Sequence, residues 1–119
     1  MKKKVDLKEL DLLEQWLKDN GISYERFDTE GEYVDILDCY VNDRHQICVP
    51  FYSAEPRWDV ICHYGSYGWQ QGLLESYGLL ADKDNAPIGW LTAENVIRML
   101  KERGLDKWQN GKLKGVNDD

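Results

Sequence analysis

The links between the apolar runs in the first half of the chain are so short that they dictate an antiparallel fold. Four runs rich in Tyr, Val, Ile, Phe and Cys predict β-strands, at residues 23–28, 32–41, 44–49 and 57–63. Only breaks of two to seven residues, carrying Gly, Asn, Asp, Ser or Pro, separate them. A parallel neighbour needs a crossover of a dozen or more residues, so we expect an antiparallel meander.

The second of these runs is predicted to be a central strand. Val34 and Ile36 point to one face of such a strand, while Tyr33 and Leu37 point to the other. Neither face is purely polar near its centre. Apolar side chains on both faces are typical of a strand that is covered on both sides, in the middle of a sheet.

The N-terminal segment predicts an amphipathic helix over residues 7–20. Asp6 is placed as its N-cap residue, and Asn20-Gly21 supplies a left-handed stop. Its apolar residues recur with helical spacing, at Leu10, Leu13, Trp16 and Leu17.

Two further helices are predicted in the second half of the chain. Residues 69–80 have apolar side chains at helical spacing, although Gly72 and Gly78 weaken the pattern and suggest a close neighbour at Gly72. Residues 93–103 follow Thr92, a good N-cap residue. The predicted fold is α+β, an antiparallel β-meander of three to four strands with an N-terminal helix and two C-terminal helices packed on it.

Composition indicates one folded domain over residues 1–119. Hydrophobic residues make up 42% and charged residues 31% of the 119, enough for a core and a hydrated surface. We expect an ordered core at about 5–104 and a loose tail at 105–119. Trp58, Trp69 and Trp90 are expected to be buried, whereas Trp108 is either a clamp onto the core or an exposed anchor.

The N-terminus does not continue as a secretion signal. The basic residues 2–4 are followed by charged and amphipathic residues instead of an apolar stretch. Nowhere does the chain approach the roughly 18 apolar residues of a membrane-spanning helix. We therefore expect a cytoplasmic protein with no membrane partner.

Cysteine usage favours reduced thiols. The chain has three cysteines, Cys39, Cys48 and Cys62, an odd number with no Cys-x-x-Cys pair. We expect them to be mostly buried, with no cofactor and no metal site. A zinc site with His45 and His63 is the alternative, although no pair of these residues has the short spacing typical of zinc ligands.

Negative charge is concentrated between residues 19 and 38. Seven acids and one base give this segment a net charge of −6, against −7 for the whole chain. Such a segment repels nucleic acid and attracts basic protein surfaces. It is either a docking surface for a protein partner or a solvated hairpin edge that blocks pairing between copies. The candidate partner-binding residues are Glu25, Asp28, Glu30, Glu32, Asp35 and Asp38.

The stretch His-Tyr-Gly-Ser-Tyr-Gly at 63–68 lies between a predicted strand and a predicted helix. Backbone N–H groups at a helix start can hold an anion, so this loop could capture an anionic ligand such as a nucleotide. The alternative is that the two glycines only turn the chain; no Walker or Rossmann pattern is present. The candidate ligand-binding residues are Arg57, His63, Tyr64, Gly65, Ser66, Tyr67 and Gly68.

Catalytic patterns are weak. Ser66 with His63 or His45 as its base lacks the signs of an oxyanion hole or a strained turn. The clustered acids lie in a polar run, whereas a general acid needs burial. We therefore expect a non-enzymatic protein with no catalytic residues.

Five segments of the chain form a pattern: Arg44-His45-Gln46-Ile47, Trp58-Asp59-Val60-Ile61-Cys62, Gly65-Ser66-Tyr67-Gly68, Gly72-Leu73-Leu74-Glu75 and Gly89-Trp90-Leu91-Thr92-Ala93-Glu94. Together they resemble small uncharacterised proteins from phages and mobile elements of Firmicutes. The resemblance spans about residues 7–103 and implies an inhibitor of host machinery or of antiviral defence, including CRISPR nucleases; it brings no assigned active site. We therefore predict a phage-type binding protein that inhibits a host or defence protein through its acidic surface in the host cytoplasm.

Overall fold

The computed structural model describes residues 4–109 and 112–113, with side chains described from residue 4 to residue 107. The described residues form an α+β fold with two α-helices and a five-stranded antiparallel sheet. In chain order the helices and strands are α1 (Lys8–Asp19), β1 (Glu25–Thr29), β2 (Glu32–Val34), β3 (Cys39–Val41), β4 (Arg44–Val49), β5 (Trp58–Ile61), β6 (Leu74–Gly78), β7 (Ile88–Leu91), α2 (Ala93–Glu102), β8 (Trp108–Gln109) and β9 (Lys112–Leu113).

The main sheet has the order β1-β4-β5-β6-β7, and every neighbouring pair is antiparallel. From β4 to β7 it is the expected meander, since strands adjacent in sequence are adjacent in space. Strand β1 pairs directly with β4, with Thr29 opposite Arg44. Strands β2 and β3 pair only with each other, so they form a separate hairpin between β1 and β4.

The helices cover one face of the main sheet. Register places Ile47 opposite Val60 and Val49 opposite Trp58, and these four side chains are fully buried. Alternation along the strands turns the next residues, Gln46 among them, to the opposite face. The core cluster joins these strand residues to both helices and comprises Leu10, Leu13, Leu17, Ile22, Ile47, Val49, Trp58, Val60, Cys62, Leu74, Leu80, Leu91, Ala93, Val96, Leu100 and Leu105.

Helix α1 is close to its predicted bounds. Its N-cap residue is Leu7 and not Asp6, although Asp6 Oδ1 accepts the N–H of Lys8 at 3.0 Å. At the other end Gly21 has a φ of 65°, and the N–H of Ile22 donates to the carbonyl of Leu17 at 3.0 Å. This left-handed stop is the one that the Asn-Gly pair predicts.

Helix α2 begins where the sequence predicts. Thr92 Oγ1 accepts the N–H of Asn95 at 3.1 Å, and Asn95 Oδ1 accepts the N–H of Thr92 at 3.0 Å, a reciprocal capping box. The carboxylate of Glu9 in α1 also accepts the N–H of Ala93 at 2.8 Å. Helix α1 therefore caps the start of α2 and fixes the two helices together.

The prediction of a central strand over residues 32–41 is wrong. The run is a hairpin with a turn at 35–38. In this turn the N–H of Leu37 donates to the carbonyl of Val34 at 3.1 Å, and the N–H of Asp38 donates to the carbonyl of Asp35 at 3.2 Å. Asp38 has a φ of 51°, which a strand does not accommodate. The apolar side chains on both faces of this run reflect a reversal of the chain and not burial within the sheet.

The prediction of a helix over residues 69–80 is also wrong. A single 3₁₀ turn at Trp69–Gln71 precedes β6, which pairs with a strand on each side. Gly72 and Gly78 have φ values of 71° and 69°, so the backbone leaves the helical region at both. The expected close neighbour of Gly72 is present, because a Cβ there would lie 2.8 Å from the carbonyl oxygen of Asp6.

Candidate functional site

The tip of the β2–β3 hairpin, residues 35–38, combines an apolar end with an acidic surround. Ile36 is 95% exposed, and Leu37 is exposed beside it. The carboxylates of Asp35 and Asp38 flank them, and Glu32 is exposed on β2. Ile36 and Leu37 together form an exposed apolar end on a hairpin that pairs with no strand of the main sheet.

Internal contacts stiffen this hairpin. The rings of Tyr33 and Tyr40 pack edge to face across the two strands, with centroids 5.5 Å apart. The hydroxyl of Tyr33 donates to the carboxylate of Asp38. This hydrogen bond raises the pKa of Tyr33 to about 12. The tip is therefore held by its own hairpin and presented in one geometry.

The other three predicted partner-binding acids have internal contacts. Glu25 Oε1 accepts the N–H of Tyr52 at 2.9 Å. Oε1 of Glu30 lies 2.7 Å from Nζ of Lys4. The structure therefore divides the acidic run, and three of its predicted site residues lie on the hairpin, namely Glu32, Asp35 and Asp38.

Asp28 belongs to the internal group. Its Oδ2 lies 2.8 Å from Nε of Arg26, and its Oδ1 lies 2.7 Å from Nδ1 of His45. His45 is buried, and its other ring nitrogen lies 3.8 Å from Oδ2 of Asp43. Asp28 thus helps to hold β1 on β4, although its side chain is partly exposed.

The glycines of the 63–68 loop turn the chain. Gly65 and Gly68 have φ values of 89° and 93°. The N–H of Ser66 donates to the carbonyl of His63 at 2.9 Å, and the Ser66 hydroxyl donates to the same carbonyl at 2.7 Å. Both glycines therefore turn the chain with a positive φ.

The 63–68 loop differs from the anion site that the sequence suggested. No α-helix begins there, and the turn that follows at Trp69–Gln71 is 3₁₀. Carboxylates already accept two of the loop's backbone N–H groups. Tyr67 N–H donates to Glu75 Oε1 at 2.9 Å, and Tyr64 N–H donates to Asp43 Oδ1 at 3.0 Å. A phosphate would have to displace a negative charge at each of these donors.

Two further candidate residues also have other roles. Arg57 lies at the opposite end of β5 from the loop, where its guanidinium carbon is 4.6 Å from the ring centroid of Tyr52. His63 Nδ1 accepts the N–H of His45 at 3.2 Å, and burial lowers the pKa of His63. The structure therefore does not bring Arg57 to the loop.

The hairpin tip and the loop face each other across a groove of about 730 Å³. Leu37 and Asp38 line one side, and Tyr64, Gly65 and Trp69 line the other. The rings of Tyr64 and Trp69 pack with centroids 5.2 Å apart. Two segments that the sequence treats as separate candidates thus form one surface, which we call the tip groove.

Trp90 differs from the sequence prediction. It is 59% exposed and not buried, and its indole stacks on the ring of Tyr67 with centroids 5.1 Å apart. Trp58 is fully buried as predicted, and Trp69 is half-buried. The side chain of Trp108 lies outside the described residues.

The prediction of buried thiols is confirmed for two cysteines. Cys48 and Cys62 are buried, and Cys39 is partly exposed. Burial raises the pKa of Cys48 to about 11 and that of Cys62 to about 12. Within the part of the chain that the structure describes, no three His, Cys, Asp or Glu side chains lie close enough together to hold a metal ion.

Sequence reasoning missed the roles of Ile36, Leu37 and Trp90. The spacing Asp35-Ile36-Leu37-Asp38 is a turn signal, because aspartates favour turns, but the neighbouring β-branched residues hid it. For Trp90 the signal is the glycine before it, which marks a close approach or a bulge inside a strand.

No helix among the described residues is long and apolar enough to cross a membrane. Comparisons of the chain with protein-family models, with curated proteins and with solved structures found no match.

Proposed function

We propose that this chain is a non-enzymatic binding protein that docks its β2–β3 hairpin on a basic protein surface. The observation that carries this proposal is the 95% exposure of Ile36 at the end of a stiff hairpin. Burial of an isoleucine side chain against a partner contributes about 1.5–3 kcal/mol. The tip therefore fits a partner with an apolar pocket at its docking site.

The negative charges around the tip favour a pocket whose rim is basic. Glu32, Asp35 and Asp38 are exposed beside the apolar residues. Carboxylates at the edge of a contact accelerate association with a basic surface, while the apolar centre supplies most of the affinity. The proposed partner presents arginines or lysines around an apolar depression.

The tip groove supplies a second contact next to the first. Its walls combine Leu37 with the aromatic pair of Tyr64 and Trp69. A partner loop that follows the hairpin into this groove would bury both walls together. We infer that the docking surface extends from the tip to the 63–68 loop.

The resemblance to small phage proteins extends the proposal to the consequence of binding. A basic surface is the usual site at which a nuclease or a DNA-binding protein holds nucleic acid. An acidic hairpin that occupies this surface would exclude nucleic acid. We therefore propose inhibition of a host or antiviral-defence protein in the cytoplasm, without direct binding of nucleic acid by the chain itself.

Capture from lysate of a bacterial host tests the first step. The tagged full-length chain is compared with Ile36→Asp, and the retained proteins are identified by mass spectrometry. Leu12→Asp is the matched control, because Leu12 is a similarly apolar exposed residue on α1. We expect Ile36→Asp to lose a basic protein that wild type and Leu12→Asp retain. Equal retention by all three would contradict docking through the tip.

Association kinetics with the captured partner test the charge contribution. The double variant Glu32→Lys with Asp35→Lys should lower the association rate about tenfold or more at low salt and flatten its salt dependence. The control variant Asp84→Lys with Glu102→Lys makes the same change of charge on exposed acids outside the hairpin. Equal effects of the two double variants on the association rate would mean that net charge alone sets this rate. That result would contradict docking through the hairpin.

The alternative of an anionic nucleotide at the 63–68 loop has less support, because Glu75 and Asp43 hold two of the loop N–H groups. A thermal-shift screen of cyclic and linear nucleotides tests it. A ligand at 100 times its Kd would stabilise the fold by about 2.7 kcal/mol. We expect no shift; a shift that Tyr67→Ala removes would restore this alternative.

A further inference from the structure

Trp90 and Tyr67 form an exposed aromatic pair at the edge of the main sheet. Their ring planes are inclined by 17° and their centroids are 5.1 Å apart. Trp90 is 59% exposed and Tyr67 is 50% exposed. Strand β7, which carries Trp90, is the last strand in the sheet order. The pair therefore presents a flat π surface to solvent, well separated in sequence from the β2–β3 hairpin.

The backbone is distorted to hold this pair. Trp90 has a φ of 55°, in the left-handed region that bulky residues rarely adopt. The register between β6 and β7 shifts here, so that Gly89 and Trp90 together lie opposite Glu75. A bulge of this kind re-aims a side chain. Strained backbone at an exposed tryptophan is the arrangement expected where the ring is needed for binding.

Two glycines make room for the stack. A Cβ on Gly89 would overlap with Cβ of Tyr67. A Cβ on Gly68 would lie 3.1 Å from Cα of Trp90 and 2.9 Å from Cβ of Leu73. The N–H of Trp90 also donates to the carbonyl of Tyr67 at 3.3 Å. Three independent features thus bring these two exposed rings together.

The charge next to the pair is negative. The buried carboxylate of Glu75 accepts the N–H of Tyr67 and the hydroxyl of Tyr77. Burial and this hydrogen bond raise the pKa of Tyr77. A carboxylate bonded to the backbone of a stacked ring favours a cation over an anion at the exposed face.

Elsewhere the chain covers aromatic faces with its own arginines. The guanidinium carbon of Arg44 lies 3.8 Å from the ring centroid of Phe27, and that of Arg57 lies 4.6 Å from the centroid of Tyr52. Among residues 4–107, no cation lies over Tyr67 or Trp90 in this way. The same kind of surface is therefore left open at this edge of the sheet.

We propose that the Tyr67–Trp90 pair is a binding site for an arginine side chain of a protein partner. A guanidinium is planar and stacks on an indole, whereas the compact ammonium of lysine stacks less well. A nucleobase would also stack, but its phosphates would meet the carboxylate of Glu75 and a chain of net charge −7. This site goes beyond hairpin docking and does not depend on it.

Titration followed by NMR tests the site directly. The full chain is titrated with the peptide acetyl-Gly-Arg-Gly-Arg-Gly-amide, with its lysine counterpart and with an eight-residue oligouridylate. The indole N–H signal of Trp90 is identified by its loss in Trp90→Gly. We expect a saturable shift of this signal with the arginine peptide and about tenfold weaker binding of the lysine peptide. Equal binding of the two peptides, or tighter binding of the oligouridylate, would overturn the proposal.

The variants separate binding from folding. Trp90→Gly and Trp90→Asn both suit a positive φ, so each removes the ring while relieving the backbone. We expect their Tm values within about 3 °C of wild type, with peptide binding lost. Phe51→Ala removes another exposed ring and should keep peptide binding. If either Trp90 variant folds and keeps peptide binding, the pair is not an arginine site; if neither folds, the titration of the wild-type chain with the arginine and lysine peptides decides.

Discussion

Nη1 of Arg26 in β1 lies 3.0 Å from Oε1 of Glu14 in α1. The same nitrogen is 2.7 Å from Oδ1 of Asp11, and Nε is 2.8 Å from Oδ2 of Asp28. The side chain of Arg26 is largely buried. The one base of the acidic run therefore joins the edge strand to the first helix.

Arg26→Ala is expected to lower the free energy of unfolding by about 2 kcal/mol, because three carboxylates then lie together without their cation. The loss should be smaller in 1 M salt, which screens their repulsion. Urea unfolding, followed by circular dichroism at low salt and in 1 M salt, measures both losses of unfolding free energy. The control is Arg98→Ala, which removes an exposed pair with Glu102 and should cost less than about 0.5 kcal/mol. Equal losses in the two variants would contradict a structural role for Arg26.

The sign of the stability change in Gly72→Ala distinguishes the observed turn from a helix. In a helix the change would stabilise the protein by about 1 kcal/mol. At a φ of 71°, and with a Cβ only 2.8 Å from the carbonyl of Asp6, we expect a loss of at least about 2 kcal/mol. Gly104→Ala, at a φ of 73° with open space around it, should cost about 1 kcal/mol. The difference between the two variants, measured in urea, isolates the contact with Asp6.

Stability should fall on mild acidification in a way that depends on His63. Burial lowers the pKa of His63 in the folded protein, so the unfolded chain binds the proton at a higher pH. The stabilising contribution is present above the unfolded pKa of about 6.5 and is lost as the pH falls towards the folded value. His63→Asn keeps an acceptor for the N–H of His45 and should show a smaller loss between about pH 7.5 and about pH 5.5. The same loss in both proteins would assign the acid sensitivity to other groups.

Alkylation should separate the three cysteines. Burial holds the pKa of Cys48 at about 11 and that of Cys62 at about 12, whereas Cys39 is partly exposed. Because the thiolate is the reactive form, we expect iodoacetamide at about pH 8 to modify Cys39 in the folded protein and the other two only after unfolding. Mass spectrometry counts the adducts, and Cys39→Ser should then give none in the folded state.

The parts of the fold that the sequence predicted are those governed by local chemistry. Thr92 and Gly21 specify helix ends through their own hydrogen bonds and φ values, and both act as predicted. The antiparallel pairing followed from short links. Such signals are read within a few residues, so no knowledge of distant neighbours is needed.

The failures occur where a distant neighbour decides the backbone. Gly72 is left-handed where Asp6 packs against it, and Trp90 is left-handed where the β6–β7 register shifts. Neither cause is visible in the local spacing of apolar residues, which at 69–80 imitates a helix. The proposed docking surface was predicted only in part for the same reason, since the exposure of Ile36 depends on the hairpin lying outside the main sheet.

The position of the hairpin also bears on how such a protein can diversify. Thr29 and Arg44 are paired, so residues 30–43 leave the sheet and return to adjacent positions. Gly31 packs directly against the backbone of Val41, which closes the base of this excursion. The closure entropy of a loop changes only slowly with its length. An exchange of residues 32–41 for another hairpin would therefore leave the sheet register intact, and only the proposed docking element would change between descendants of one scaffold.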